Sequence, residues 1–233
     1  MLPKFFVAND ASDINEAINK TELILDVAGD YGIKLNLDLV LKDINIISKI
    51  AKLSNKPIFV DMKMWNGKRT MNEAIKVIAD QGAAMINVWA QADSMLEKAV
   101  DTAKKVGLTI LGVTVLTHYD DDYCKKFFGR PMDKMVRLLA KTALKWGCDG
   151  YILPGTCLDA VLDLGGIKFN PAVRPKWFGD KQVNFQKQIM EPEEAFRKGA
   201  DIVSCGSPVF KSQDPKRALE LILEEIKFIH KQI

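Results

Sequence analysis

The sequence is poor in the residues from which zinc sites and disulfide frameworks are built. Its 233 residues include two histidines and four cysteines, and no pair of cysteines has the CxxC spacing. Cys124, Cys148, Cys157 and Cys205 are therefore predicted to be reduced thiols of a cytosolic protein, and we expect no metal site.

The sequence also lacks long apolar runs and an excess of one charge. No apolar stretch approaches the ~20 residues that a membrane-spanning helix needs. The first residues, LPKFFVAND, become polar too soon for a signal peptide. The net charge of +3, from 33 basic and 30 acidic residues, is too small to predict binding to nucleic acid or a membrane. We therefore expect a soluble, cytoplasmic protein with neither of these partners.

What the sequence does contain is a repeated alternation of short apolar runs and amphipathic stretches. The runs, each predicted to be a strand, are FFVAN (5–9), GIKLN (32–36), PIFVDM (57–62), AMINVW (84–89), LTILGVTV (108–115), GYILP (150–154), IKFNP (167–171) and DIVSCG (201–206). Helical patterns cover residues 13–28, 43–53, 70–81, 94–106, 132–146, 191–198 and 215–229.

Strands that alternate with helices predict parallel βαβ units. Eight strands in a chain of 233 residues predict the α/β class and a single-domain (β/α)8 TIM barrel that spans residues 1–233. The alternative is an open, doubly wound sheet, which would have a glycine-rich first turn if it bound a dinucleotide. The first turn here, VANDASD, contains no glycine, and this favours the barrel.

Charged residues interrupt two of the predicted strands near their ends. Asp61 and Lys63 lie two positions apart in IFVDMKMWNGKRT, so they point to the same face of a strand. Lys34 lies within the apolar stretch GIKLNLDLV, with no adjacent acid. Burying a lone charge is costly, but a paired charge can be retained for chemistry. Because barrel active sites form at the C-terminal ends of the strands, we predict that these three residues belong to one.

Other polar or turn-forming residues also follow the predicted strands, although strand ends are often polar simply because they are solvated. They are Asp10, Asn87, Thr117 with His118, Pro154–Gly155–Thr156, Asn170 with Arg174, and Gly206–Ser207.

Several of these stretches resemble motifs of the orotidine 5′-monophosphate decarboxylase suprafamily, over essentially the whole chain. VAND resembles A-x-D, IKLNLDLV resembles K-x-G-x-x-L-V, VDMKMWN resembles D-x-K-x-x-D and GVTVLTHYD resembles V-T-V-L-T-S. The most specific match is NPAVRP followed by FQKQIMEPEEAFRKGAD, which resembles T-P-G-I-R-P and D-Q-R-R-I-M-T-P-x-x-A-x-x-x-G-x-D.

The resemblance implies a lyase that decarboxylates orotidine 5′-monophosphate to UMP in pyrimidine biosynthesis, without a metal or cofactor, as a homodimer with a shared active site. The catalytic residues that it implies are Lys34, Asp61, Lys63 and Asn66, with Lys63 as the proton donor. The implied substrate-binding residues are Asp10 and Thr70 at the ribose, Thr117 at the pyrimidine, Arg174 and Gln186 at the phosphate loop, and Pro171, Gly206 and Ser207.

The chain departs from the family pattern at two of these positions. Asn66 stands where the family has a third acid, so two lysines would share Asp61, and we expect the unbalanced charge to lower a lysine pKa. Ser207 stands where the family has an arginine that holds phosphate, and a serine hydroxyl offers one hydrogen bond without charge.

Three hypotheses about function follow from this pattern. The first is a working orotidine 5′-monophosphate decarboxylase, and the second is a diverged enzyme with another nucleotide or a sugar-phosphate substrate. The sugar-phosphate branch of the suprafamily adds a Mg²⁺ site on acids at the second and third strand ends. The second strand here ends in KLNLD without a clear acidic cluster, which argues against that branch. The third hypothesis is a nucleotide-binding homologue without catalysis.

Overall fold

A computed structural model describes residues 2–179 and 189–229 of the chain. Its strands are parallel and follow one another around a closed barrel in chain order, with the last paired to the first. They are β1 (Phe5–Asn9), β2 (Gly32–Asn36), β3 (Ile58–Met64), β4 (Met85–Trp89), β5 (Thr109–Val113), β6 (Gly150–Ile152), β7 (Ile167–Pro171) and β8 (Ile202–Cys205). The predicted (β/α)8 barrel is confirmed.

Helices connect successive strands on the outside of the barrel. They are α1 (Ile14–Glu22), α2 (Leu37–Lys42), α3 (Ile46–Ser54), α4 (Lys68–Asp80), α5 (Leu96–Lys105), α6 (Asp121–Phe128), α7 (Met132–Lys145), α8 (Pro192–Arg197), α9 (Ser207–Phe210) and α10 (Pro215–Ile229), with 3₁₀ turns at Ala90–Met95 and Gly155–Val161. The sequence pattern does not predict α6, which begins where the Asp120 side chain accepts a hydrogen bond from Tyr123 N–H. No helix in the described ranges has the length and apolar character to cross a membrane.

Alternation along the strands separates two apolar cores. Outward-facing residues pack against the helices in the larger core, whereas inward-facing residues fill the barrel itself. Inside, the rings of Phe6, Phe59 and Phe169 make edge or tilted contacts at centroid distances of 5.9, 6.1 and 5.3 Å. Gly32 makes room for them, because a Cβ there would lie 2.3 Å from the Phe6 ring. These rings form an apolar floor below the C-terminal mouth.

Strand β3 is irregular where its charged residues occur. It pairs with β4 through Val60 opposite Ile86 and again through Met64 opposite Val88, so the register shifts between the two pairs. Within this bulge Lys63 has a φ of +45°, in the left-handed region that non-glycine residues rarely adopt. Bulges of this kind re-aim side chains beside active sites, and here the bulge lies at the barrel mouth.

Candidate active site

A cavity of about 270 Å³ opens at the C-terminal mouth of the barrel, above the apolar floor. Its lining includes residues of all eight strands, together with residues that follow β1, β5, β7 and β8. Nine of the sequence-predicted site residues line this cavity: Asp10, Lys34, Asp61, Lys63, Thr117, Pro171, Arg174, Gly206 and Ser207. The fold therefore brings them together from six different segments of the chain.

Lys34, Asp61 and Lys63 form a continuous charged group on adjacent strands. Lys63 Nζ lies 2.6 Å from Asp61 Oδ1, and Lys34 Nζ lies 3.3 Å from Asp61 Oδ2. Lys34 Nζ is also 3.5 Å from Asp10 Oδ1. The Asp61 side chain is 11% exposed and that of Lys34 is 10% exposed, so the ion pair between them is shielded from water. Shielding strengthens their electrostatic interaction.

The neighbouring charges set the protonation states of this group. Burial alone would lower the pKa of Lys34, but the carboxylates of Asp61 and Asp10 outweigh burial and raise it. Burial would raise the pKa of Asp61, but the charges of Lys34 and Lys63, with hydrogen bonds from Lys63 and Asn87, lower it to about 2. The Lys34 ammonium and the Asp61 carboxylate are therefore both charged at neutral pH.

The pKa of Lys34 shifts in the opposite direction to the one expected for a lysine of this pair. The sequence leads us to expect a lysine pKa lowered by two ammonium groups sharing a single carboxylate. Asp10 lies close enough to act as a second carboxylate for Lys34, so the pKa of Lys34 rises instead.

Asn36 is a cavity residue to which sequence reasoning gives no role. It stands at the glycine position of the K-x-G pattern, and its carboxamide lies between Lys34 and Asp10. Its Nδ2 donates to Asp10 Oδ1 over 2.7 Å, and its Oδ1 accepts from Lys34 Nζ. The period-2 rule that joins Asp61 to Lys63 also joins Lys34 to Asn36, so the sequence contained the signal.

Asn87 is the second residue that the sequence left without a role. It is fully buried on β4 and contacts the charged group with both ends of its carboxamide. Its Nδ2 donates to Asp61 Oδ1 over 2.7 Å, and its Oδ1 accepts from the backbone N–H of Lys63 over 2.6 Å. Only its position at a strand end marked it in the sequence.

The side of the cavity next to β7 and β8 offers hydrogen-bond donors and a close backbone approach. Arg174 lines the cavity, and its Nε and Nη1 are buried without a hydrogen-bond partner among the described residues. Gly206 brings the end of β8 against β1, because a Cβ there would lie 2.4 Å from the Ala8 carbonyl oxygen and 3.0 Å from Asp10 Oδ2. Ser207 follows it in the lining. This side can therefore hold an anion through Arg174.

Two described site residues, Asn66 and Thr70, do not line the cavity of their own chain, and a third predicted residue cannot be placed. Asn66 is exposed in the loop before α4, and its Oδ1 accepts from the Gly67 N–H. Thr70 is exposed in the first turn of α4. Gln186 lies outside the described residues, as does the end of the predicted phosphate loop from Arg174 to Gln186.

Comparison with known proteins assigns the chain to a family. A family model described as "Orotidine 5'-phosphate decarboxylase / HUMPS family" matches residues 3–222. The chain belongs to this family. It is 28% identical to the orotidine 5′-phosphate decarboxylase of Nautilia profundicola, over 97% of this chain and 100% of the relative. It is 30% identical to that of Paramagnetospirillum magneticum, over 97% of this chain and 99% of the relative.

A solved structure extends the comparison to three dimensions. The crystal structure of orotidine 5′-phosphate decarboxylase from Lactobacillus acidophilus superposes with a TM-score of 0.80 at 26% identity, over 96% of this chain and 99% of that chain. The resemblance inferred from the motifs is thus confirmed at the level of family and fold. Among the described residues, no three His, Cys, Asp or Glu side chains lie together in a way that could hold a metal ion.

Proposed function

We propose that the chain is an orotidine 5′-phosphate decarboxylase that converts its substrate to UMP without a metal or cofactor, in de novo pyrimidine biosynthesis. The observation that carries this proposal is the group formed by Lys34, Asp61 and Lys63, held at the barrel mouth above an apolar floor. Family membership supports it, as do the nine predicted site residues that line the same cavity.

The reaction needs negative charge to be stabilised at a ring carbon. The bond between that carbon and the carboxylate breaks, its electron pair stays on the carbon, and CO2 leaves. A preorganised cation beside the carbon stabilises this charge most effectively when water is excluded. Lys63 supplies that cation and then donates a proton from Nζ to the carbon, forming the C–H bond of UMP. Water reprotonates the neutral amine.

Asp61 and Lys34 prepare Lys63 for this role. Asp61 fixes the Lys63 ammonium over 2.6 Å, and Lys34 holds the other oxygen of the same carboxylate. Asp61 also stands where the substrate carboxylate would approach, so the two negative charges favour departure of CO2. At the phosphate side, Arg174 has donors that pair with none of the described residues, and they supply the charge that Ser207 lacks. The remote phosphate contributes binding energy to the reaction.

We also propose a homodimer with shared active sites, which the exposure of two predicted site residues supports. Asn66 and Thr70 are exposed on their own subunit, where they are free to complete the site of a neighbour. Trp65, on the same loop, is 60% exposed. Tryptophan is enriched at protein–protein interfaces. Mixing inactive Lys63→Ala subunits with inactive Thr70→Arg subunits should then restore some activity, because a hybrid dimer contains one intact site.

The second candidate is a diverged enzyme or nucleotide-binding homologue of the same family. Asn36 favours it, because its carboxamide occupies the Asp10 oxygen that a ribose hydroxyl would otherwise use. Ser207 and Asn66 point in the same direction, since each removes a charge that the family pattern contains.

The two candidates are separated by following turnover of orotidine 5′-phosphate by ultraviolet absorbance. The proposal expects turnover by the parent chain, its loss in Lys63→Ala, and faster turnover in Ser207→Arg and Asn66→Asp. If the parent is inactive and these two reversions create activity, the proposal is wrong. Binding of UMP to an inactive parent would then identify a nucleotide-binding homologue, and failure to bind would indicate another substrate.

A further inference from the structure

The charged group depends on a buried amide from the neighbouring strand. Asn87 is 0% exposed, and its carboxamide joins the Asp61 side chain to the Lys63 backbone. We propose that Asn87 is a positioning residue, which acts through Asp61 and Lys63 to aim the Lys63 ammonium at the reacting carbon. The proposal rests on the proposed decarboxylation and assigns to β4 a part in it.

The bulge in β3 explains why a side chain from β4 bonds to the Lys63 backbone. Between the pairs Val60–Ile86 and Met64–Val88, β3 contains three residues, 61 to 63, whereas β4 contains Asn87 alone. The regular ladder therefore cannot pair the Lys63 N–H with the β4 backbone. The Asn87 side chain accepts from it instead, over 2.6 Å. A buried N–H without a partner would be destabilising.

The same hydrogen bond holds a strained backbone. Lys63 has a φ of +45°, a conformation that costs free energy for a residue with a Cβ and persists when its surroundings fix it. In this conformation Lys63 Nζ turns back to Asp61 Oδ1, two positions earlier on the strand. Relaxation of the backbone would move the ammonium away from both Asp61 and the substrate.

The carboxamide fits its two partners in a single orientation. Its oxygen faces a donor, the Lys63 N–H, and its nitrogen faces an acceptor, Asp61 Oδ1. In the reversed orientation the amide NH2 would face the Lys63 N–H and the amide oxygen would face Asp61 Oδ1, so neither hydrogen bond could form. Asn87 thus differs from Asp, which is isosteric but lacks the donor when ionised, and from Ala, which lacks both groups.

This difference allows a test by acidification. In Asn87→Asp the new carboxylate would lie against that of Asp61, and like charges at this distance disfavour ionisation. Once protonated, the new carboxyl can donate to Asp61 and accept from the Lys63 N–H, as the amide does. The charged groups that face this position are Asp61 and Lys63 of β3, with Lys34 of β2 beyond Asp61. On the other side, β5 places uncharged Leu111 in register with Asn87.

The experiment measures kcat and KM of the full-length Asn87→Asp, Asn87→Ser and parent proteins between pH 8 and pH 5.5, each value taken relative to the parent at the same pH. We expect kcat of both variants to fall about 10²-fold at pH 8, the order of effect of misplacing a catalytic group by about 1 Å. KM should change about threefold at most, since the interaction matters in the transition state. On acidification Asn87→Asp should recover about tenfold, whereas Asn87→Ser should not.

Asn9→Asp is the matched control. Asn9 is also 0% exposed at a strand end, but it donates to the Ala17 carbonyl and to Thr21 on α1, outside the cavity. This variant should lose stability while keeping the parent's kcat at every pH. The proposal would be overturned if Asn87→Asp had the parental kcat. It would also be overturned if the loss of kcat in Asn87→Asp did not reverse at low pH while Asn87→Ser kept the parental kcat.

A second measurement does not depend on turnover. In protein labelled with ¹⁵N-lysine, the Lys63 amide is assigned by its loss in Lys63→Arg. Relative to the intrinsic exchange rate at each pH, its hydrogen exchange should be slow in the parent, faster in Asn87→Ser, and slowed again in Asn87→Asp at low pH. If the parent lacks decarboxylase activity, the proposed function fails, and this measurement still decides whether Asn87 holds the Lys63 backbone. Exchange that is equally slow in all three proteins would show that it does not.

Discussion

The carboxamide of Asn36 donates to Asp10 Oδ1 over 2.7 Å, at the mouth of the barrel. It thereby occupies an acceptor of the cavity lining that, under the proposed function, would receive a hydroxyl of the ligand. The family pattern K-x-G places a residue without a side chain at this position. Under the proposed function, this contact affects how tightly the chain binds the sugar of a nucleotide.

Asn36→Gly should bind UMP more tightly than the parent. A ligand hydroxyl would no longer have to displace the amide from Asp10, and a hydrogen bond to a charged group contributes about 1.5–3 kcal/mol. Because Lys34 also loses a partner, we expect a net decrease in Kd of about three- to tenfold. Isothermal titration calorimetry measures it. Asn36→Asp is the comparison, since a second carboxylate beside Asp10 should weaken binding; a Kd unchanged in both variants would contradict the role given to Asn36.

Lys63→Ala should abolish most of the turnover. Loss of a general acid costs about 10²–10⁴-fold, and loss of the cation beside the carbanion adds to it, so we expect kcat to fall at least about 10³-fold. UMP binding should change much less. Lys76→Ala is the matched control, because Lys76 lies on α4, 52% exposed and paired with Glu73. Equal activity of the two variants would remove Lys63 from the mechanism.

The pH dependence of stability should report on Asp61. Its pKa is about 2 in the folded chain against an ordinary value of 3.8, so its contribution is complete above about pH 4 and is lost as the pH falls to about 2. A difference of this size corresponds to about 2 kcal/mol. Asp61→Asn should be less stable at pH 7 and show a flatter decline between pH 4 and pH 2, measured by urea denaturation at fixed protein concentration.

Asp163→Asn tests how much of the stability that Asp61 contributes depends on its burial, because Asp163 has a similar pKa but is exposed. The bidentate pair with Arg137 lowers the pKa of Asp163 to about 2 as well, but its side chain is 65% exposed. Solvent weakens such surface pairs. The loss of stability should therefore be clearly smaller than for Asp61→Asn. Equal losses would show that shielding of the charged group contributes nothing.

Ala172→Gly should stabilise the protein. Ala172 follows Pro171 in the cavity lining with a φ of +66°, where the pattern T-P-G-I-R-P has glycine. Relief of the left-handed strain yields about 1–2 kcal/mol, and the greater entropy of glycine in the unfolded chain removes about 0.4–1 of it. We expect a net gain of about 0.5–1 kcal/mol in urea denaturation. Ala74→Gly, within α4, should lose about 1 kcal/mol. A loss in both variants would mean that Ala172 is not strained.

Ser207→Arg should tighten the binding of a phosphate group selectively. A guanidinium at this position would add a charge-assisted contact opposite Arg174, so Kd for UMP should fall about tenfold. Kd for uridine, which has no phosphate, should remain the same. An equal change for both ligands would place Ser207 away from the phosphate.

The sequence predicted the elements of the fold best where their pattern was strong and local. Strands β1, β2 and β7 and helix α10 occur at the predicted bounds, because apolar alternation and Gly or Pro boundaries define them. Helix α1 ends at Glu22 instead of continuing to residue 28. The prediction extended the helix because apolar residues continue beyond Glu22. Two of them, Ile24 and Val27, are buried in the larger core without helical structure.

The candidate site was predictable as a set of residues but not as a network. Period-2 alternation placed Asp61 and Lys63 on one face, and their contact with Lys34 followed from neighbouring strands. The contact between Asn87 and the Lys63 N–H could not be predicted, because it depends on a bulge that shifts the register of β3 against β4. The role of Asp10 beside Lys34 likewise depends on how closely β8 and β1 approach at Gly206.

The rings of Phe6, Phe59 and Phe169 have a consequence for the order of events in turnover. They fill the barrel axis directly beneath the charged group. A ligand that enters the cavity through the C-terminal mouth therefore also leaves through it. Under the proposed function, carbon dioxide released beside Asp61 would have to pass the nucleotide to reach solvent. Under the proposed function, UMP that remains at the mouth would delay binding of the next substrate, and an inhibitor that fills the mouth would block both entry and exit.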